Sequence, residues 1–213
     1  MRRAAPPVRQ ITVDVVDDAL FTGVALAAIT RDRGLSTVVR RVESGWIQYI
    51  SEFDDASGVV VVRSRLDDHV PTVLKVRALA RIGVLPVILL DEPNAALETR
   101  LIEAGAADVL TREDDIEELL TAISEVRPMS TPVSVALSDV RLSDRELQVA
   151  CLYVGRTAPS TPVLATLLGI PHASVCKYLQ RARTALRAVG DTSTRAALRQ
   201  VLLRDGWVDA GQA

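Results

Sequence analysis

Apolar residues in the first 125 positions follow two alternating spacings. Runs such as the valines at 59–62 and PVILL at 86–90 are apolar without interruption, as in strands buried on both faces of a parallel sheet. The intervening segments place apolar residues three or four positions apart, as amphipathic helices do. This pattern predicts an α/β, doubly wound sheet of five parallel strands. The predicted strands are Ile11–Val16, Thr37–Val42, Gly58–Val62, Val84–Leu90 and Asp108–Leu110, and the predicted helices are Leu20–Arg31, Trp46–Asp54, Val70–Arg81, Asn94–Ala104 and Asp115–Glu125.

From position 142 onward the pattern is helical, which predicts an all-α unit. A serine before Asp144 and Glu146 marks the start of one helix. Thr161 and Pro162 predict the next start, with the hydroxyl as N-cap and the proline as first helical residue. The segment Gly-Ile-Pro at 169–171 then predicts a tight turn, and a third helix follows over about 172–187.

The segment at 128–141 separates these patterns. It holds two prolines and three serines without a clean period, which is typical of a linker. At 213 residues, with 48% hydrophobic and 24% charged residues, the chain is long enough for two small domains. We therefore predict domains at 1–128 and 142–213 joined by a linker at 129–141.

Charge is divided unequally between the two parts. Residues 1–130 contain 15 basic and 21 acidic residues, a net charge of −6, whereas residues 131–213 contain 10 and 6, a net charge of +4. This division suggests that only the second part meets a polyanion, the alternative being chance variation on a solvated surface. An aromatic content of 3% disfavours base stacking on single-stranded nucleic acid and sugar binding.

Two cysteines, Cys151 and Cys176, do not form a disulfide framework, so a reducing compartment, the cytoplasm, is expected. The N-terminal segment lacks the apolar run of a signal peptide, and no stretch has the composition of a membrane span. The two cysteines and His172 lack the close spacing of a metal site. A core cysteine and a turn histidine are favoured, so neither a metal nor a cofactor is expected.

An acidic pair, Asp17 and Asp18, leaves the first predicted strand. Adjacent carboxylates repel each other and favour a cation between them. Together with PVILL and LIEAGAADVLTRED, the segment VVDDALF resembles the receiver domains of response regulators along residues 11–127. The resemblance implies an acidic pair that holds Mg²⁺, an acceptor aspartate after strand three, a hydroxyl after strand four and a lysine after strand five.

The residues for phosphotransfer depart from this receiver pattern. The acceptor position falls on Arg63 or Ser64, the hydroxyl position on Asp91 and the lysine position on Arg112. Phosphorylation is therefore disfavoured. Because the replacements are complementary in charge, we expect Arg63 to bridge the carboxylates in place of metal and phosphate. The alternative is a decayed pocket with Arg63 in solvent. The candidate pocket comprises Asp17, Asp18, Arg63, Ser64, Asp91 and Arg112.

The third helix of the second part has two contrasting faces at 100° per residue. One carries an apolar stripe of Val175, Leu179, Ala182 and Leu186, and the other is small, polar and cationic, as a helix in the DNA major groove requires. We expect Lys177 and Gln180 to read bases, with Cys176 at the edge, and Ser174, Arg181 and Arg187 to contact phosphates. The alternative is an ordinary solvated face.

The segments LSDRELQVACLY and VLATLLGIPHASVCKYLQRARTAL resemble the helix-turn-helix of LuxR/NarL regulators, and TRAALRQVLLRDGWV resembles the closing helix of that family. Region four of sigma factors has a similar sequence, but the receiver-like first part of the chain favours the LuxR/NarL family. Two departures are a longer loop, GRTAPSTP, and Cys176 at a position where cations are frequent. The resemblance implies a non-enzymatic, sequence-specific transcription regulator that binds double-stranded DNA as a homodimer.

Without phosphate chemistry, a small molecule at the receiver-like domain, a protein partner or abundance alone would set activity. Two other functions stay open. One is an adaptor whose basic helix meets an acidic protein of the transcription machinery. The other is a Mg²⁺-dependent phosphorylated response regulator, which the missing acceptor aspartate disfavours.

Overall fold

A five-stranded parallel sheet forms the centre of the first half. The structure, a computed structural model, describes residues 10–54, 58–68, 70–125 and 139–209, so most of the predicted linker lies outside the described residues. The spatial strand order is 2-1-3-4-5: the second strand lies on one side of the first, and the third, fourth and fifth follow on the other side. The strand order therefore reverses between the first and third strands. The strands are β1 (Ile11–Val16), β2 (Thr37–Glu43), β3 (Val59–Arg63), β4 (Leu85–Leu90) and β5 (Asp108–Thr111).

The valine run of β3 shows why the sheet is buried on both faces. Val60 and Val62 join the apolar cluster on one side, whereas Val59 and Val61 join the cluster on the other. Successive side chains of a strand point to opposite faces, so a strand between two layers of helices needs apolar residues at every position. The predicted α/β class and all five strands are confirmed.

Within the described residues, five helices cover this sheet, and their starts and ends differ slightly from the prediction. Leu20, predicted to be helical, is the N-cap of the first helix and has a left-handed φ of 55°. Val70 precedes the third helix because a residue before proline disfavours helical backbone. The helix predicted to reach Asp54 ends at Ser51. The observed helices are α1 (Phe21–Asp32), α2 (Trp46–Ser51), α3 (Thr72–Arg81), α4 (Ala95–Ala104) and α5 (Ile116–Ser124).

The second half is all helical, as predicted. Ser143 and Glu146 form a reciprocal capping box at its first helix. The predicted N-cap Thr161 is wrong by one residue, because Ser160 has the extended N-cap backbone and Thr161 is already helical. Gly169 ends that helix with a φ of 62°, a conformation that glycine adopts without strain. The helices are α6 (Asp144–Val154), α7 (Thr161–Leu168), α8 (His172–Leu186) and α9 (Arg195–Arg204).

The two halves share one apolar cluster. Leu97 and Leu101 of α4 belong to the same buried cluster as Leu142 and Trp207 of the second half. Trp207, which follows the terminal helix, is 3% exposed. The second half is therefore packed against the side of the sheet that carries α3 and α4.

Candidate functional site

The candidate pocket lies at the carboxyl ends of β1, β3 and β4. Asp17 and Asp18 directly follow β1, Arg63 is the last residue of β3, and Asp91 follows β4. In a parallel sheet these ends meet at one edge, beside the point where the strand order reverses. Sheet topology thus brings together residues that are up to 74 positions apart in the sequence.

The guanidinium of Arg63 lies between three carboxylates. Its Nη1 is 2.6 Å from Asp18 Oδ1 and 3.4 Å from Asp17 Oδ1, and its Nη2 is 2.9 Å from Asp91 Oδ1. Asp91 Oδ2 also lies 3.4 Å from Nε of Arg65, a partner that the sequence prediction did not include. One planar cation thus links the ends of three strands through the fixed fork of N–H donors that a guanidinium offers.

Two residues of the predicted pocket, Arg112 and Ser64, lie outside the central group of ion pairs around Arg63. Arg112 stands at the rim, with Nη1 3.8 Å from Asp91 Oδ1 and two thirds of its side chain exposed. Ser64 is fully buried, and its carbonyl accepts a hydrogen bond from Thr72 Oγ1 at 2.8 Å. The rim arginine adds only a screened attraction, whereas the buried serine holds the start of α3 against the end of β3.

The Asp17 carboxylate is held in its ionised form. Burial, the largest influence, acts to raise its pKa, but the Thr22 hydroxyl, the backbone N–H of Ala19 and the charge of Arg63 together outweigh burial. The net result is a lowered pKa for Asp17. The pKa of Arg63 is raised, because its contacts with the three carboxylates exceed the opposing effect of burial. The pair is therefore charged at neutral pH.

The resemblance of the sequence to receiver domains implies Mg²⁺ at this edge of the sheet, and the residues present here do not fit that ion. The Arg63 guanidinium lies where carboxylates would converge on a cation, within 3.4 Å of each of them. In the described ranges no three or more His, Cys, Asp and Glu side chains form a group that could hold a metal ion. The chain has two lysines, of which Lys75 is buried against Asp68 at 2.8 Å and Lys177 is on α8.

Replacing Arg63 with alanine should convert this pocket into a cation site. Three carboxylates would lose their shared counter-ion, and Asp17 and Asp91 are nearly buried, so we expect a loss of about 1–3 kcal/mol in the free energy of unfolding. Millimolar Mg²⁺ should restore much of that loss in the variant and leave the wild-type protein unchanged, as measured by urea unfolding.

Arg112→Ala is the matched control, because it removes the same charge from the exposed rim. It should change the free energy of unfolding by less than about 1 kcal/mol and should gain no response to Mg²⁺. An equal Mg²⁺ response in the wild-type protein would contradict the assignment of Arg63 as the bridging cation.

Helix α8 buries one face and exposes the other. Val175, Leu179, Ala182 and Leu186 are buried in the core of the second half, as the sequence predicts. The opposite face has no acidic residue, and its side chains extend along four turns of helix. Ser174 is partly exposed, whereas Cys176, Lys177, Gln180, Arg181 and Arg187 are exposed.

The N-terminal end of α8 carries a short chain of polar contacts. Nε2 of His172 lies 2.9 Å from Thr161 Oγ1 and 3.4 Å from Sγ of Cys176. These contacts join the first residue of α7 to the first two turns of α8. They lie beside the residues of α8 that are exposed to solvent.

The loop between α6 and α7 is held by the terminal helix. The Arg195 guanidinium donates from Nη2 to the carbonyl of Pro159 at 2.9 Å and stacks 4.0 Å from the ring centroid of Tyr153. Ala158 has a positive φ of 40°, which the loop maintains beside this arginine. The longer loop noted in the sequence is thus a fixed part of the second half.

A buried ion pair joins the two halves, and the sequence offered no signal for it. Arg100 of α4 donates from Nη2 to Asp205 Oδ2 at 2.8 Å and from Nε to the Asp205 carbonyl at 3.0 Å. The indole of Trp207 donates to the same carboxylate at 2.8 Å and lies 4.3 Å beneath the Arg100 guanidinium. We call Arg100, Asp205 and Trp207 the inter-half clamp.

A second contact between the halves lies nearer the solvent. Asp144, at the start of α6, accepts from Arg77 at 2.9 Å and pairs with Arg81 at 2.7 Å. Burial raises the pKa of Asp144, but the two arginines outweigh it and the net pKa is lowered. Two ion pairs therefore connect the first turn of α6 to α3.

Comparison with known proteins gives a result at the level of the fold. No protein-family model matches the chain, and no curated protein matches it in sequence. Solved structures do match. RcsB of Salmonella enterica serovar Typhimurium bound to promoter P1flhDC, in the presence of the phosphomimetic BeF3⁻, has a TM-score of 0.60 at 14% identity, covering 91% of this chain and 98% of that chain.

The chain has the fold of a response regulator. A second RcsB–DNA complex matches with a TM-score of 0.59 at 16% identity over 91% of this chain and 99% of that one, and the Salmonella protein on promoter rprA matches with a TM-score of 0.58. These matches cover both the sheet and the helical second half. None of the helices in the described ranges has the length and apolar character needed to cross a bilayer.

Proposed function

We propose that the protein is a sequence-specific DNA-binding transcription regulator that works without aspartate phosphorylation. The observation that carries the proposal is α8, a helix with one fully buried apolar stripe and an opposite exposed face of small, polar and cationic side chains. A major groove accepts such a helix. The RcsB structures that share this fold were solved bound to promoter DNA, which supports the same role here.

The exposed side chains of α8 fall into two groups, those suited to base contacts and those suited to phosphate contacts. Gln180 can make a bidentate pair with adenine, and Lys177 can donate to the acceptors of guanine. Cys176 lies beside Lys177 and would contact the edge of the same base pairs. Ser174, Arg181 and Arg187 would contact phosphates, which position the helix without reading the sequence.

The absence of phosphotransfer is the second part of the proposal. The acceptor position holds a guanidinium that three carboxylates bind, so the pocket keeps one arrangement without a metal ion. A fixed pocket supports regulation by an effector or by abundance. Under this proposal the protein catalyses no reaction and acts in the cytoplasm, and a homodimer places two copies of α8 on two half-sites.

Selection of genomic fragments by the purified protein, followed by sequencing, tests the proposed function. We expect a shared motif, and we expect affinity for the selected duplex to fall steeply with salt, as it does when cationic groups displace counter-ions from phosphates. Binding to no duplex at low ionic strength, together with capture of an acidic subunit of the transcription machinery, would favour the adaptor function instead.

Alkylation of Cys176 with N-ethylmaleimide should block specific DNA binding. The Cys176 thiol is exposed on the face of α8 that enters the groove, so the adduct would occupy space needed by a base pair. We expect affinity for the target duplex to fall by about tenfold or more, measured by fluorescence anisotropy. Burial raises the pKa of the Cys151 thiol, so the second cysteine should stay unmodified in the folded protein.

Cys176→Ser is the control for this treatment. The variant should bind the target duplex and keep its affinity after exposure to the reagent. If the alkylated wild-type protein bound its target as tightly as before, the exposed face of α8 would not enter the groove.

A further inference from the structure

A cleft of about 670 Å³ lies between the two halves of the molecule. One wall is the segment that follows β3, including Arg65, Leu66 and Asp67, and the other is the end of α6 with the turn after it, including Leu152 and Arg156. This volume falls within the range of sites that hold small organic molecules. The exposed face of α8 contributes no residue to it, so the cleft is separate from the proposed DNA-binding surface.

The inner part of the cleft is apolar. Leu66 is 6% exposed and Val208 is 3% exposed, and both line the cleft together with Val70 and Leu152. These four side chains come from both halves. A ligand with an apolar body would therefore contact both halves at once and would gain from apolar surface removed from water.

The charged groups at the cleft determine which sign of charge a ligand should carry. Among the described residues Arg156 forms no ion pair with a carboxylate, and Arg65 forms one, with Asp91 at 3.4 Å. Asp18, which also lines the cleft, is already bound by Arg63 at 2.6 Å. Arg156 is thus available to an anion, and Arg65, which is exposed and holds Asp91 only at 3.4 Å, can add a second attraction.

Asp67 sets an upper limit on the negative charge of that ligand. It lines the same cleft, is exposed, and forms no ion pair with another described residue. A second negative charge on the ligand would be repelled by this carboxylate, whereas a ligand hydroxyl could donate to it. The favoured ligand carries one negative charge.

We propose that this cleft is a binding site for a small organic monoanion with an apolar body, such as a hydrophobic carboxylic acid. Its acid group pairs with Arg156 and Arg65, and its apolar body lies against Leu66, Leu152 and Val208. The site is complete only when the two halves are packed together, so the ligand stabilises the packed arrangement by mass action. Because Asp18 borders both sites, the ligand also lies next to the Arg63 ion pairs.

Titration with 8-anilinonaphthalene-1-sulfonate, a fluorescent aromatic monoanion, tests the site in the full-length protein. We expect one saturable site, a Kd about tenfold weaker in Arg156→Ala, and loss of that site in Leu152→Trp, whose indole fills the cleft. Arg145→Ala is the matched control, because Arg145 is exposed on α6 and does not line the cleft. It should bind the probe as the wild-type protein does.

Dye binding to the exposed apolar side chains of α1 is the competing result. Phe21, 76% exposed, is the largest of them, and Phe21→Ser should leave the saturable site unchanged. Circular dichroism of each variant shows whether it is folded. If folded Arg156→Ala and Leu152→Trp bound the probe with wild-type affinity and stoichiometry, or if Phe21→Ser abolished the signal, the proposed site would be overturned.

Discussion

The double substitution Lys177→Ala/Gln180→Ala should reduce affinity for the target duplex by about 100-fold or more, since each well-formed base contact contributes about 1–3 kcal/mol. Both side chains are exposed and point away from the buried stripe of α8, so the fold should be unaffected. Affinity for unrelated duplex should change much less, because phosphate contacts dominate that binding. Fluorescence anisotropy with target and unrelated duplexes measures both effects.

Two single substitutions separate base reading from general attraction to DNA. Arg181→Ala should weaken binding to target and unrelated duplexes alike and should lower the salt slope by about one. Arg31→Ala removes an equal charge from the exposed end of α1, in the first half, and should leave both affinities nearly unchanged. Equal losses on every duplex for the double variant would remove the assignment of Lys177 and Gln180 to bases.

Breaking the inter-half clamp should have the largest effect on stability. Arg100→Met removes the guanidinium that is paired with the buried Asp205 carboxylate and stacked on Trp207. Loss of one partner of a buried charge pair costs about 3–5 kcal/mol. We expect the wild-type protein to unfold in urea in a single transition and the variant to unfold in two, the first being separation of the halves. In a Trp46→Phe background, the fluorescence of Trp207 should follow that first transition.

Arg81→Met is the matched control for the clamp. It also removes an arginine that crosses between the halves, but its partner pair with Asp144 is exposed to solvent. A pair of that kind contributes less than about 1 kcal/mol, so the transition should stay single. Similar losses for Arg81→Met and Arg100→Met would show that burial of the clamp does not determine how the halves are held together.

Gly206 allows the backbone of the inter-half clamp to lie close to the backbone of α4. Its φ is 71°, and a Cβ at this position would lie 2.2 Å from the carbonyl oxygen of Ala96. The backbone after α9 can therefore lie directly against the start of α4. This close approach places Asp205 and Trp207 beside Arg100. The sequence shows only a glycine near a helix end, where it is common for other reasons.

The strands were predictable because the signal for each of them lies in a few consecutive apolar residues. An uninterrupted valine run such as 59–62 is typical of a strand that lies between two layers of helices. The pocket was partly predictable for a related reason, since parallel strands bring their carboxyl ends to one edge and so place Asp17, Arg63 and Asp91 together. Arg65 escaped notice because strand alternation does not fix the direction of a side chain in the following loop.

The remaining errors have equally specific causes. Ser160 and Thr161 are adjacent hydroxyl residues, and either suits an N-cap, so the backbone alone decided between them. Arg100 and Asp205 are 105 positions apart, and no periodicity relates one to the other. Trp207 follows α9, and the interface between the halves buries it against the Arg100 guanidinium.

DNA affinity with and without a phosphate donor tests the central claim most directly. The affinity of the full-length protein for its selected duplex is to be measured alone and after incubation with acetyl phosphate and Mg²⁺, with the intact mass of the protein recorded in parallel. We expect tight, salt-dependent binding in both samples, equal affinities and no added phosphoryl mass. A phosphorylated species that binds more tightly, or failure to bind duplex DNA at low salt in either sample, would contradict the account.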